Sequence, residues 1–337
     1  QFRDILLADF FSFLSKSAKG VDSSKPTHTK FMSASLHSFS IEKFQAGYNI
    51  AGHDGSNSDR DIVFLDFCKS IYPDHPLVNT EIHIFYGGKT AVEMVAWRLA
   101  LHGLADGNWW CWHSNPRFSD SLGNVESMYA LTISGLDVQR LFYPYIYALN
   151  IKPRPVATLF PDVVERRSDI KMVRIRHEIA TAQYMLGVQP FYATETRISA
   201  GELSKHKLLL AGESDYVKDS TYKAVVDYVK DGGKAIVLKG GFAHNEYGDP
   251  RDASELVKPN EGKPFCEGAT MYPLGKGQVI CINSIQVLPD VVTDGGQCLA
   301  EGASPEKIMR RTVYRKVLGK AMEQNGLEEP IRIVAKD

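Results

Sequence analysis

The sequence lacks the signatures of several familiar protein classes. Its five cysteines, Cys68, Cys111, Cys266, Cys281 and Cys298, show no C-x-x-C spacing, so neither a zinc site nor a disulfide framework is indicated. No G-x-G-x-x-G motif follows a predicted strand, which argues against a dinucleotide-binding enzyme. No G-x-S-x-G motif occurs, which argues against an esterase. We therefore expect reduced thiols, no metal and no cofactor.

Long hydrophobic runs and an excess of charge are also lacking. No apolar run approaches the roughly 20 residues that span a bilayer. A formal net charge of -1 suggests neither nucleic acid nor a membrane as a partner. The first residues, Gln1 to Asp4, lack the charged-then-apolar plan of a signal peptide. Because the chain opens on Gln1 and not on methionine, we expect more sequence upstream. We expect a soluble protein, and the sequence leaves its compartment open between cytoplasm and periplasm.

Short strands alternate with helices over the first 150 residues. The spacing predicts strands at 27–32, 45–51, 77–81 and 109–113, and helices at 2–19, from Asp59 to before Pro73, and at 92–99. In the first helix, an apolar face is predicted from Leu6, Leu7, Phe10, Phe11 and Leu14. Strict alternation is typical of parallel β/α units. A (β/α)8 barrel takes about 250 residues, so this segment fits half a barrel.

Glu81 is the most informative single residue. It ends the run Leu77 to Glu81 and is followed by His83, Tyr86 and the turn Gly87-Gly88. Barrel enzymes hold their reactive groups where strands end, and a carboxylate there can act as a nucleophile. The alternative is a strand-end glutamate in a surface salt bridge.

The neighbouring motifs carry a family resemblance. Asn79-Thr80-Glu81-Ile82-His83 with Tyr86-Gly87-Gly88, followed one helix later by Asn108-Trp109-Trp110-Cys111-Trp112, resembles strands seven and eight of the clan A glycoside hydrolases. The arrangement with a following α/β domain is similar to the family 42 β-galactosidases. The resemblance implies strand five at 27–32, strand six at 48–53 and Glu81 as the nucleophile of a retaining glycosidase. It also implies a sugar-binding floor at Trp110 or Trp112.

The same resemblance implies that a catalytic group is missing. Clan A enzymes carry their general acid/base as the Glu of an Asn-Glu pair ending strand four, and this chain starts in the helix after that strand. The pair Asn245-Glu246 lies far downstream and reads as a loop pair. We therefore expect this chain to be the carboxy-terminal part of a longer enzyme, with strands one to four and the acid/base either removed or on another chain. Its expected partner is this missing amino-terminal half of the barrel.

Other polar residues lie near the predicted mouth of the barrel. His53 and Asp54 end strand six and could bind sugar hydroxyls or orient Glu81, although Asp-Gly is also ordinary turn chemistry. His28 in strand five either faces the sugar or is a hydrogen-bonded core histidine. His83 and Tyr86 follow the nucleophile and are candidates for the sugar subsite.

The tryptophan strand allows two orientations. Successive side chains point to opposite faces, so either Trp110 with Trp112 or Trp109 with His113 points inward. Aromatic rings stack on the apolar face of pyranose rings, whereas core packing is the alternative role. We count Trp110, Trp112 and His113 among the candidate substrate-binding residues.

A second domain is predicted over residues 151–337, after the linker Lys152-Pro153-Arg154-Pro155. Strands are predicted at 156–160, 190–193, 207–211, 235–238 and 278–282, with helices at 169–186, at 222–229 and from Ser304-Pro305 onward. This pattern predicts a flavodoxin-like α/β domain. It resembles the glutamine-amidotransferase-like domain of family 42 enzymes, which mediates trimer formation. The strand end Ala211-Gly212-Glu213-Ser214 has no cysteine, so we expect assembly into a homo-oligomer, a trimer being possible, and no catalysis.

Two functional hypotheses follow. The first is a retaining glycoside hydrolase that cleaves a β-galactoside or a related sugar with Glu81 as nucleophile. The second is a non-catalytic carbohydrate-binding or assembly protein built on a degenerate barrel.

Overall fold

The structure, a computed structural model, describes residues 2–31, 40–55, 59–83, 89–110, 135–148, 154–167, 170–212, 214–258, 260–283 and 312–327. These residues fall into two compact units, one up to Ile151 and one from Lys152 onward. Each unit contains a sheet with parallel strands, which confirms the predicted α/β class. None of the helices in the described ranges is long and apolar enough to cross a bilayer.

The first unit is a four-stranded parallel sheet with helices between its strands. Its elements are α1 (Phe2–Val21), β1 (His28–Thr29), α2 (Ile41–Gln45), β2 (Ile50–Gly55), α3 (Asp59–Ile71), β3 (Leu77–His83), α4 (Lys89–Leu101) and β4 (Leu104–Trp110). A π-helical turn, Val138–Phe142, leads into α5 (Tyr143–Ala148). The strands lie in sequence order, β1-β2-β3-β4, and each neighbouring pair is parallel.

Two of the predicted strands in this unit start at other residues. Residues 41–45 are helical because Ile41 and Phe44 are both buried on one side of a turn that follows Ser40. Strand β2 therefore begins at Ile50. Strand β4 begins at Leu104, which is fully buried and pairs with Leu77, well before the tryptophans. Pairing with the neighbouring strand outweighs the weak strand propensity of Asp106 and Gly107.

Helix α1 is apolar on more than one side. Phe11 is half-buried and packs its ring against the rings of Phe31, Phe44 and Tyr48. On another side lies the α1 stripe, a row of exposed apolar residues: Phe2, Leu6, Phe10, Phe13 and Leu14. The predicted helix is confirmed, and of the five residues predicted to share its apolar face, Leu6, Phe10 and Leu14 are exposed. Helical periodicity identified apolar residues but not the side of the helix that packs.

The second unit contains a seven-stranded sheet. Its elements are β5 (Val156–Phe160), α6 (Asp162–Arg167), α7 (Ile170–Met185), β6 (Tyr192–Thr194), α8 (Glu195–Ser199), β7 (Leu208–Ala211), α9 (Asp219–Lys230), β8 (Lys234–Leu238), β9 (Lys263–Cys266), β10 (Ala269–Leu274), β11 (Gly277–Ile282) and α10 (Thr312–Gln324). The spatial order is β6-β5-β7-β8-β11-β10-β9. The first five strands in this order are parallel, and β10 is antiparallel to both of its neighbours.

Helices cover both faces of this sheet. Leu208 and Leu210 pack with Ile179 of α7 and Val317 of α10 on one face. Leu209 and Ala211 pack on the opposite face, together with the apolar side of α9. Because both faces are covered, the central strands are continuous apolar runs, which explains why the sequence predicts them well.

A buried carboxylate ties three segments of the second unit together. Glu195 Oε1 accepts hydrogen bonds from the backbone N–H of Lys218 at 2.7 Å and from Thr221 Oγ1 at 3.4 Å. Glu195 Oε2 accepts one from the backbone N–H of Val163 at 3.3 Å. Burial and the nearby charge of Asp162 raise the pKa of Glu195, against the opposing effect of these N–H groups and of Lys218.

This raised pKa predicts a pH-dependent stability. A folded-state pKa above the ordinary value of 4.5 means that Glu195 stabilises the fold fully below pH 4.5 and progressively less as the pH rises through the raised pKa. We expect the free energy of unfolding of the wild type, minus that of Glu195→Gln, to fall with rising pH by at most about 1.4 kcal/mol per pH unit. Hydrogen exchange of the β7 amides in urea measures it. A difference that is constant or rises with pH contradicts the expectation.

Candidate active site

Three charged side chains meet at the carboxyl edge of the first unit's sheet. Lys30 directly follows β1, Asp54 is the penultimate residue of β2, and Glu81 lies near the end of β3. The three strands are parallel neighbours, so their carboxyl ends lie at one edge. The fold therefore brings together Lys30 and Glu81, which are 51 positions apart in the sequence.

The ammonium of Lys30 is shared by two carboxylates. Lys30 Nζ lies 3.0 Å from Asp54 Oδ2 and also donates a hydrogen bond to Glu81 Oε1. The side chains of Lys30, Asp54 and Glu81 are 38%, 12% and 22% exposed, so Asp54 is the least accessible of the three to solvent. We call these three residues the Lys30 cluster.

The electrostatics of the cluster keep Lys30 charged. Partial burial lowers the pKa of the Lys30 ammonium, but the hydrogen bonds and charges of Glu81 and Asp54 outweigh this effect and place its pKa above the ordinary value. With two carboxylates and one ammonium, the fully ionised cluster carries one net negative charge. Such a cluster can present one carboxylate to a substrate while the other retains the ammonium.

An irregularity in β3 sets the position of Glu81. The pairing of β3 with β4 passes from Asn79↔Gly107 to Ile82↔Trp109, so between these two pairs β3 contains one residue more than β4. The same extra residue occurs against β2, between the pairs of Asn79 with His53 and of Ile82 with Gly55. The buried Asn79 holds this bulge, because its Oδ1 accepts the backbone N–H of Glu81 at 3.0 Å. Bulges re-aim a side chain and are frequent next to active sites.

His28 lies beside the cluster, on β1. Its Nε2 is buried and has no hydrogen-bond partner among the residues that the structure describes. Burial lowers the pKa of His28, which favours the neutral ring. The two predicted roles of His28, facing the sugar or a hydrogen-bonded core histidine, both stay predictions.

Close approach of β1 and β2 at this point requires a glycine. A Cβ at Gly52 would overlap the carbonyl oxygen of Thr29 and lie 2.6 Å from His28 Nε2. We expect Gly52→Ala to lower the free energy of unfolding of the first unit by about 2 kcal/mol, because β1 must move away. Tryptophan fluorescence in urea reads this unit, since all four tryptophans lie between Trp97 and Trp112.

Gly20→Ala is the matched control for that variant. A Cβ at Gly20, near the end of α1, has no heavy atom within 4 Å. Alanine is the better helix former, so Gly20→Ala should be neutral or slightly stabilising. Equal stability losses in the two variants would contradict the packing explanation.

The side chain of Trp109 is hydrogen-bonded to the π-helical turn that follows β4. Its Nε1 donates a hydrogen bond at 3.0 Å to Oε1 of Gln139, whose Nε2 donates to Asp106 Oδ1 and to the carbonyl oxygen of Gly107. Trp109 therefore lies on the side of β4 that faces this helix. Which of the two predicted orientations applies stays a prediction.

The remaining candidates are only partly placed. The backbones of His53, His83 and Trp110 lie in β2, β3 and β4, and His83 pairs with Trp110. The side chains of these three residues lie outside the described part of the structure. Tyr86, Trp112 and His113 lie outside it as whole residues. Their roles in substrate binding stay predictions.

Lys30 is the member of the cluster that the sequence did not predict. It lies two residues after His28, and side chains two apart in a strand share a face. That spacing was the available signal for Lys30. If His28 faces the sugar, a residue two positions later in the same predicted strand faces it as well.

The side chains of Asn245 and Glu246 serve local structure in the second unit. Asn245 Oδ1 accepts the backbone N–H groups of Tyr247 and Asp249. Glu246 Oε2 accepts the backbone N–H of Asp219 at 3.2 Å, at the start of α9. These contacts agree with a loop pair.

Solved structures place the fold. No protein-family model and no curated protein matches the sequence. The chain is similar to a β-galactosidase from Bacillus circulans sp. alkalophilus, with a TM-score of 0.71, 12% identity and coverage of 96% of this chain and 57% of that one. It is also similar to an exo-carrageenase of glycoside hydrolase family 42 from Bacteroides ovatus, with a TM-score of 0.68, 17% identity and coverage of 97% and 44%.

A third similar structure is a β-galactosidase from Rahnella sp., with a TM-score of 0.68, 12% identity and coverage of 97% of this chain and 58% of that one. The chain thus spans about half the length of the proteins it resembles. At these identities the likeness concerns the fold, and at that level the resemblance to family 42 glycosidases is confirmed.

Proposed function

We propose that this chain is part of a retaining glycoside hydrolase that cleaves a β-galactoside or a related sugar, with Glu81 as the nucleophile. The observation that carries the proposal is the bulge in β3, which aims Glu81 at the carboxyl edge of the sheet. The reactive groups of barrel enzymes are found at this edge. The similar structures named as β-galactosidases and an exo-carrageenase suggest the substrate class.

In this proposal, the first unit is the carboxy-terminal half of a (β/α)8 barrel. Strands β1 to β4 correspond to strands five to eight, which puts Glu81 at the end of strand seven. The parallel order β1-β2-β3-β4 supports this assignment, since barrel strands follow one another in sequence order. The chain spans about half the length of the similar glycosidases, which agrees with half a barrel and one further domain.

The double displacement requires a second carboxyl group. Retaining glycosidases use two, about 5 to 5.5 Å apart, one as nucleophile and one as acid and then base. Asp54 is the nearest described carboxylate to Glu81 in the cluster, but its Oδ2 already accepts the ammonium of Lys30 at 3.0 Å. We therefore assign Asp54 to holding Lys30. The acid/base belongs to the amino-terminal half of the barrel.

The α1 stripe is proposed as part of the contact with that half. In a complete barrel each helix packs against helices on both of its sides. Phe2 is 75% exposed and Phe10 is 53% exposed, and Leu6 lies between them one turn from each. Within the described residues, strand β1 pairs with β2 alone and so lies at the edge of the sheet. An apolar helix face beside an open strand edge is what removal of half a barrel would leave.

The second unit is proposed as a non-catalytic, flavodoxin-like domain. Numbered along the chain, its five parallel strands have the order 2-1-3-4-5, which is the flavodoxin-like order. At the carboxyl end of β7, Ser214 is fully buried and its hydroxyl donates to the carbonyl oxygen of Ala211. We assign this unit to assembly of a homo-oligomer, of which a trimer is one form.

Turnover of an aryl β-galactoside tests the proposal. The sample is the assembled enzyme, meaning this chain combined with the amino-terminal barrel half encoded upstream. Release of the phenol with retained configuration of the sugar supports the proposal. A stable assembly that binds sugar without turnover would favour a degenerate barrel with a non-catalytic binding role.

A further inference from the structure

The contacts of Lys30 suggest a role that goes beyond a surface salt bridge. One ammonium joins two carboxylates that come from two different strands. An exposed pair contributes little to stability, often under about 1 kcal/mol, so stability alone is a weak reason for this arrangement. Asp54 is nevertheless largely buried, at 12% exposure. The ammonium that it contacts also contacts the candidate nucleophile, Glu81.

We propose that Lys30 is a positioning residue for Glu81 and that Asp54 anchors Lys30 while the charge of Glu81 changes. The inference rests on the proposed function, because it assigns two further residues to the same reaction.

The reaction changes the charge of Glu81 twice. In the first displacement a Glu81 oxygen forms a bond to the anomeric carbon, and the bond from that carbon to the leaving group breaks. The oxygen of the leaving group takes a proton from the acid on the other barrel half. The ester of Glu81 is then neutral. In the second displacement water attacks the anomeric carbon and gives a proton to the same group, the ester bond breaks, and Glu81 regains its negative charge.

Two carboxylate partners keep the ammonium compensated throughout these steps. In the free enzyme Lys30 binds both Asp54 and Glu81. In the ester state Glu81 no longer offers a charge, and the ion pair with Asp54 remains. Lys30 therefore stays in place to receive the carboxylate when it leaves the sugar. Without Asp54, formation of the ester would leave a partly buried ammonium unpaired, which is costly.

Histidines also lie on the three strands of the cluster. His28 precedes Lys30 on β1, and the backbones of His53 and His83 lie in β2 and β3. Turnover can depend on each of them, so the Glu81 carboxyl itself must also be followed. Glu81→Gln identifies its carboxyl signal in a carbon-13 spectrum of glutamate-labelled chain.

Lys30→Met tests the proposal through a split between kcat and KM in the assembled enzyme. Removing the ammonium removes a contact that positions the Glu81 carboxylate for attack, so we expect kcat to fall about tenfold with KM little changed. Lys30→Arg should restore most of that loss. Asp54→Asn removes the anchor of the ammonium, so kcat should fall about tenfold as well. In the chain itself, the carbon-13 signal of the Glu81 carboxyl at neutral pH should move in Lys30→Met. The matched control is Lys43→Met, an exposed lysine on α2, which should change nothing.

Several outcomes overturn the proposal. An unchanged kcat in Lys30→Met, or a loss that Lys30→Arg does not restore, would reduce Lys30 to a structural contact. An unmoved carbon-13 signal of the Glu81 carboxyl in the chain itself would do the same. If the assembled wild type shows no turnover but Lys30→Met still moves that signal, the positioning role of Lys30 holds and the proposed glycosidase function fails.

Discussion

Glu81→Gln should lower the turnover of an aryl β-galactoside by roughly three orders of magnitude or more, with no loss of folded structure. Glutamine keeps the shape of the side chain and an oxygen that can accept the hydrogen bond from Lys30. It cannot form a stable ester with the sugar, so the first displacement stops. Steady-state kinetics of the assembled enzyme measure the effect, and circular dichroism tests the fold.

Two controls separate chemistry from structure in this experiment. Asp74→Asn removes an exposed carboxylate in the turn before β3 and should leave turnover unchanged. Glu81→Ala leaves room for a small anion, so added azide should restore turnover and give an azide product of inverted configuration. Rescue without inversion, or full activity in Glu81→Gln, would contradict the assignment of the nucleophile.

Addition of the amino-terminal barrel half should produce the second large effect. In the proposed enzyme this chain supplies the nucleophile and the other half supplies the acid/base, which contributes about 10²- to 10⁴-fold to such reactions. We expect a 1:1 complex of the two halves whose turnover exceeds that of either part by at least 10²-fold. Light scattering of the mixture gives the stoichiometry, and the aryl galactoside assay gives the rate.

The α1 stripe provides the variants for that complementation. Phe10→Glu puts a charge on an apolar surface that the other half would cover. We expect the two halves to lose about 2 kcal/mol of binding free energy, which weakens binding roughly 30-fold. Lys16→Glu changes a charge on the same helix outside the stripe and is the matched control. Equal binding by both variants, or self-association of this chain through the stripe, would contradict the assignment of the partner.

Segments whose pattern is local could be predicted closely from the sequence. Strand β5 was predicted at its observed bounds because an apolar run lies between Pro155 and Pro161. The hairpin of β9 and β10 was missed, since β9 is largely exposed and contains Pro264, which is a poor strand signal. Only some residues of this hairpin, such as Phe265 and Ala269, are buried, so its sequence gives neither an apolar run nor a clear alternation.

The candidate site was predictable only in part, for a different reason. Glu81 and Asp54 stand out because they end apolar strands. Lys30 does not stand out, because a lysine after a two-residue strand resembles any exposed lysine. Its role depends on the register of three strands and on the bulge beside Asn79, and neither can be read from local spacing. Helix α1 shows the same limit, since its apolar residues predict burial without saying what covers them.

Covalent trapping tests the central claim most directly. A 2-deoxy-2-fluoro-β-galactoside with a dinitrophenolate leaving group needs little help from the acid, and its ester with the nucleophile hydrolyses slowly. Peptide mass mapping of the treated assembled enzyme should find one fluorosugar, bound to Glu81. A label on another carboxylate would contradict the account, and so would an unlabelled enzyme that still turns over the aryl galactoside.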